Sequence, residues 1–128
     1  MKFRIEGKYY KENCFPDLND LLREAARHPI AYNKMKKQYE FITINAIRRD
    51  LRGWKAESKV TPVYRFYEKN KGRKRDYDNI SAGARKIIND ALVKAQVLKD
   101  DSPTYLEFGT SEFYYSDKPA IEVELKEV

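Results

Sequence analysis

Two aspartates one residue apart, Asp76 and Asp78, are the side chains whose type and spacing best suit chemistry. In an extended segment, residues i and i+2 point to the same side, so both carboxylates can face one cation. Mg²⁺ prefers oxygen ligands and commonly takes one or two protein carboxylates, filling its shell with water and substrate phosphate. Asp101, in the later Asp100-Asp101 pair, offers a third carboxylate. A cation held by such a set activates water, offsets charge on a phosphate under attack and orients the attack. A plainer use of the same residues stands beside this one. Asp78 or Asn79 suits the N-cap of a following helix, and Asp76 can answer nearby Arg and Lys charge. Immediately upstream, Lys69-Asn70-Lys71-Gly72-Arg73-Lys74-Arg75 holds five basic residues in seven. Lys71, Arg73, Lys74 and Arg75 are candidates for gripping a nucleic-acid backbone; a run of this kind is otherwise a solvated loop.

The elements that must position these groups follow from hydrophobic periodicity. Residues 2–6 alternate as a short strand with Phe3 and Ile5 on one face. Asp17 caps a short helix through Ala26, which His28-Pro29 ends. From Ala31 to about Leu51 the apolar residues recur at helical spacing, while Lys34, Lys37, Arg48, Arg49 and Arg52 line another face. Residues 60–68 read as a strand with Tyr64 and Phe66 on one side and Val63, Arg65 and Tyr67 on the other. A second amphipathic helix runs from Asn79 to about Ala95, on which Lys86 and Asp90 stand four apart as an exposed pair. Residues 104–109, 112–115 and 121–125 read as strands. The order predicts one α+β domain over residues 1–128, with a mixed or antiparallel sheet packed against a layer of helices.

Bulk properties narrow the function. The 128 residues fit one modest core. Lys and Arg total 26 against 20 acidic residues, a net charge of +6 that favours a polyanionic partner. The single cysteine, Cys14, permits no intrachain disulfide and no Cys/His zinc pattern, which suits a reducing cytoplasm. Cys14 reads as a small apolar residue. With one histidine, His28, at a helix end, Ser-His or Cys-His hydrolysis lacks support. No segment reads as a signal peptide or a membrane span. Tyr9 and Tyr10, in a polar loop, are the tyrosines best suited to stacking on DNA bases.

Three ordered motifs carry a family resemblance. They are Lys74-Arg75-Asp76-Tyr77-Asp78-Asn79-Ile80, Asn89-Asp90-Ala91-Leu92 and Val97-Leu98-Lys99-Asp100-Asp101-Ser102. Over Arg73 to Ser102 the chain resembles the RusA family of Holliday junction resolvases, particularly its phage and prophage branch. Phe15-Pro16-Asp17-Leu18-Asn19-Asp20 and Lys34-Met35-Lys36-Lys37-Gln38-Tyr39 extend the likeness weakly upstream.

The resemblance implies a homodimer that nicks four-way DNA junctions symmetrically with Mg²⁺ or Mn²⁺ and no small-molecule cofactor. It implies Asp76, Asp78 and Asp101 as the essential acids. It also implies a lysine near the start of the helix. Counting forward from Asp78 reaches Ala82; counting back from Asp90 reaches Lys86, which is therefore assigned. The stretch from Asn79 to Asp90 is about one turn longer than in well-known bacterial members. A helix from Asn79 to Ala95 is roughly 25 Å long, so Asp78 and Asp101 start at opposite ends. Either residues 96–101 fold back, or Asp101 meets Asp76 and Asp78 of a second subunit; the second arrangement is the one expected here. The competing functions are a catalytically silent branched-DNA-binding protein and a nuclease for forks or flaps.

Overall fold

The computed structural model describes residues 1–6 and 14–128. Seven elements follow one another: β1 (Lys2–Glu6), α1 (Leu18–Arg27), α2 (Pro29–Leu51), β2 (Val60–Lys69), α3 (Tyr77–Lys94), β3 (Thr110–Ser116) and β4 (Ala120–Glu127). The sheet order is β1-β4-β2-β3. β4 pairs antiparallel with both β1 and β2, whereas β2 and β3 are parallel. Parallel neighbours need a crossover, and α3 supplies it. The α+β expectation therefore holds, with a mixed sheet and three helices. No helix among the described residues is long and apolar enough to cross a membrane.

Alternation decides which face of the sheet is buried. Phe3 and Ile5 of β1, Val60, Tyr64 and Phe66 of β2, and Ile121, Val123 and Leu125 of β4 enter the core. They meet Met35, Tyr39 and Ile47 of α2 and Ile80, Ile87, Ile88 and Leu92 of α3. The opposite face is ionic. Arg65 there reaches Glu112 (3.1 Å), Glu122 (3.1 Å) and Glu124 (2.9 Å) on two neighbouring strands.

Helix ends follow local chemistry. Asp17 and Asp20 form a reciprocal capping box at α1, with Asp17 Oδ1 accepting from the Asp20 amide at 2.8 Å. His28 caps α2, its Nδ1 accepting from the Ile30 amide, and Pro29 takes the first helical position. α2 therefore begins two residues before the sequence pattern suggests. α3 also begins early, at Tyr77, with Asp76 as N-cap residue. At its other end the chain reverses through Gln96, which carries a left-handed φ of 63°. The Gln96 amide donates to the Val93 carbonyl and the Val97 amide to the Leu92 carbonyl, both at 3.0 Å. These two bonds make a Schellman closure. It buries Val97 and Leu98 and sends the chain back along α3.

Residues 104–109 are not a strand. Only Leu106 bridges to β2, at Val60; residues 103–105 form a turn and residues 107–109 are irregular. The alternation there reflects Leu106 being buried while Glu107 and Phe108 face outward. Pro103 and the left-handed Gly109 (φ 69°) bound the segment. The Lys86–Asp90 pair is not formed either: Asp90 pairs with Lys36 of α2 at 2.7 Å.

Gly83 of α3 sits where α1 begins. A Cβ there would lie 2.4 Å from the Asp17 carbonyl carbon and 2.6 Å from the Leu18 amide nitrogen. Both are backbone atoms that cannot swing aside. Gly83→Ala is expected to destabilise the protein by roughly 1–3 kcal/mol through overpacking, despite alanine's better helix propensity. Thermal unfolding of the variant checks this; an unchanged or raised Tm rules out the tight α1–α3 contact.

Candidate active site

The acids expected to act stand on both sides of the start of α3. Asp76 is exposed, and although it occupies the N-cap its side chain makes no capping bond. Asp78 lies one residue inside the helix. Because successive helical residues turn by about 100°, Asp76 and Asp78 diverge by about 200°. The extended geometry that would aim both at one point is absent, since Tyr77 already belongs to the helix. Asp76 borders a cavity of about 440 Å³. Asp78 borders another, of about 580 Å³.

Asp101 lines the second cavity together with Asp78. The reversal at Gln96 brings residues 97–108 back beside α3, so the fold-back arrangement is realised within one chain. Ser81, Ala82, Arg85 and Asn89 form the α3 wall of this cavity, and Leu106, Glu107 and Phe108 form much of the other. The acidic and amide donors here are oxygens, which suits a hard divalent cation and not zinc. Among the described residues no three carboxylate, Cys or His side chains are gathered closely enough to hold a metal by themselves.

Tyr64 sits beneath this wall. Its hydroxyl donates to Asn89 Oδ1, and burial pushes its pKa up to about 12, with the nearby Arg85 acting the other way. The phenol therefore stays protonated and fixes the Asn89 amide.

The first cavity is organised by Arg75. Its Nε and one terminal nitrogen donate to the two Glu68 carboxylate oxygens, each at 2.9 Å. The other terminal nitrogen donates to the Phe15 carbonyl at 2.8 Å and lies 3.5 Å from Asp17. Burial opposes the charge, but Glu68 and Asp17 outweigh it and raise the guanidinium pKa above its ordinary value. Arg75 thus faces inward and ties the basic loop to β2 and to the start of α1.

Lys71, Arg73 and Lys74 remain exposed on that loop. Lys74 Nζ donates to the Asn70 carbonyl at 2.7 Å and lies 4.6 Å from the centre of the Tyr115 ring. Lys34, Lys37, Arg48, Arg49 and Arg52 are exposed on α2, where Arg49 binds Asp50 and the Arg4 carbonyl. Lys86 is exposed and borders neither cavity. Tyr9 and Tyr10 lie outside the described residues. Cys14 is buried, as its apolar reading requires.

Three residues have roles that the motif reading did not assign. Arg85 and Asn89 lie 7 and 11 positions after Asp78, on nearly the same helical line, so a helical projection from Asp78 would have found both. Asn79 was read as a cap, but its Oδ1 accepts from the Asn19 amide at 2.9 Å and joins α3 to α1.

The family model for Endodeoxyribonuclease RusA matches residues 4–126, nearly the whole chain. The chain belongs to the RusA family. No curated protein sequence matches it. RusA enzymes are endodeoxyribonucleases that act on branched DNA, and membership makes this chain a nuclease of the Holliday junction resolvase kind. The match covers α1 through β3 whole and all but the ends of β1 and β4, and so includes both cavities and the loop between them.

Arg75→Met leaves Glu68 without its bidentate partner. It is expected to cost roughly 2–3 kcal/mol, less than a fully buried ion pair because some exposure remains. Arg75→Lys should recover little, since an ammonium cannot span both oxygens. Urea denaturation of both variants checks this; lysine restoring full stability would leave charge alone as the anchor.

Proposed function

We propose that the protein resolves four-way DNA junctions by metal-dependent paired nicking as a homodimer. The observation that supports this best is the cavity shared by Asp78 and Asp101 beside the α3 wall. Two carboxylates 23 positions apart in the sequence line it together, in a chain with a basic loop next to Asp76. Asp78 and Asp101 would hold a divalent ion, Mg²⁺ or Mn²⁺; Asp76, which borders the other cavity, would join them only through a backbone change at the start of α3. Such an ion, when bound, supplies Lewis-acid charge and a more acidic water.

The chain's own residues do the rest. Lys71, Arg73 and Lys74 grip the DNA backbone, and the exposed cations of α2 extend that grip. Arg75 holds the loop in place from inside. Lys86 adds a cation on the same helix as Asp78. Such contacts set register and affinity and carry no sequence information directly, so recognition rests mainly on junction shape. Two-fold symmetry gives a dimer two equivalent sites, matching two symmetric cuts in a pseudo-symmetric junction.

Incubating a synthetic four-way junction with the protein, with and without Mg²⁺, tests this reading. Paired nicks in Mg²⁺ alone are expected; binding without nicking at every metal concentration sinks it. Faster cutting of forks or flaps would keep the chemistry and replace the substrate. Asp78→Asn should abolish cutting while preserving binding, because it removes a ligand and no cation. A second test concerns how the acids are shared. If each site draws its carboxylates from one chain, heterodimers of Asp76→Asn and Asp101→Asn subunits contain no intact site and stay inactive. Recovered nicking would place Asp101 in the partner's site.

A further inference from the structure

Arg85 is the most deeply buried cation described, 7% exposed, and it forms part of the wall of the Asp78–Asp101 cavity. Its guanidinium is held between two rings, 4.4 Å from the centre of Tyr64 and 3.8 Å from that of Phe108. One terminal nitrogen donates to Ser111 Oγ at 3.1 Å and the other to the Phe108 carbonyl. Both acceptors are neutral. No carboxylate pairs with Arg85 among the described residues, whereas Arg65 and Arg75 each engage several. An arginine carries five N–H donors, so two bonds leave three unused.

A charge taken out of water without a counter-charge is costly, and neutral acceptors only partly repay it. A neutral donor such as glutamine would serve equally well if the task were only to hold the Phe108 carbonyl. The cation is therefore suited to an anion that arrives from outside. The cavity it faces is bordered by Asp78, Asp101 and Glu107, of which Glu107 pairs with Lys59 at 2.9 Å; the other two repel a free anion unless a divalent ion offsets their charge. A phosphate of the DNA backbone, bridged to Asp78 and Asp101 by such an ion, meets both conditions. The planar guanidinium fits phosphate oxygens well, and its ring sandwich fixes it beforehand at no further entropic cost.

We propose that Arg85 is a phosphate-binding residue of this site, contacting a non-bridging oxygen of the DNA backbone next to Asp78 and Asp101. The assignment rests on the junction-nuclease reading for its ligand, but its test requires no turnover. Junction binding would be measured in Ca²⁺ over a range of salt for the wild type, Arg85→Gln and Arg85→Lys. Losing one phosphate contact lowers the slope of log affinity against log salt by about 1. That loss is expected for Arg85→Gln, and the wild-type slope is expected for Arg85→Lys. A folded Arg85→Gln with the wild-type slope overturns the proposal, because a purely structural arginine leaves the number of displaced counterions unchanged.

Should Arg85→Gln fail to fold, the wild type still decides. Its Arg85 Nε–H NMR resonance should move when the junction is added in Ca²⁺. A stationary resonance, while amides of residues 70–75 shift, overturns the assignment. Junction binding through Arg85 without cutting in Mg²⁺ would retain this inference and reject the nuclease. Cutting by a protein whose Arg85→Gln slope is unchanged would do the reverse.

Discussion

The close contact between the backbones of α1 and α3 at Gly83 is the constraint on which the site depends. With no side chain at that point, the capped start of α1 rests directly on α3. That places Asp17 near Arg75, and Arg75 in turn clamps Glu68 at the end of β2. The basic loop is thereby held at both ends while its outer cations stay in water. Neither a longer loop nor a stronger charge would substitute for this contact, because the anchor works through backbone proximity.

On this base α3 divides the local surface in two. One side of its first turn offers Asp76, the basic loop and an inward-facing arginine with several acidic partners. The other offers Asp78, Asp101 and an arginine with none. The difference between Arg75 and Arg85 is one of electrostatic completeness: the first is neutralised within the fold, the second is not. Tyr77, between the two aspartates, stacks on Phe113 at 4.2 Å, and Phe113 stacks on Phe66 at 5.3 Å. The divide between the two cavities is thus tied through aromatic contacts to the centre of the sheet.

Much of this was legible in the sequence. Alternation grouped Phe3 with Ile5, Tyr64 with Phe66, and Ile121 with Val123 and Leu125, each set on one side of its strand, and the fold buries those sides; spacing located the three helices of the described residues. The family motifs pointed to Asp76, Asp78 and Asp101. What could not be read depended on tertiary neighbours. Tyr77 joined the helix and turned Asp78 away from Asp76, although the residue pattern equally allowed an extended segment. Residues 104–109 read like a strand, yet Pro103, Gly109 and a single bridge at Leu106 leave them as a turn followed by irregular chain. Arg75 resembles its basic neighbours in sequence; only Glu68 and the Phe15 carbonyl distinguish it. A helical projection places Arg85 on the Asp78 face, but nothing local shows that this cation, and not another of the helix, lacks a partner.

The left-handed Gln96 has a consequence for how the length of α3 can vary. The Schellman closure fixes the direction in which the chain leaves the helix. One residue more or fewer would rotate that exit by about 100° and carry Asp101 away from the Asp78 face. Adding three or four residues restores the direction and shifts the return segment along the same side. Length in this helix is therefore quantised: a whole added turn is an allowed step, while single insertions or deletions fall between steps. The spacing from Asp78 to Asp101 can drift over time only in whole-turn increments, a periodicity imposed by the helix on the gene.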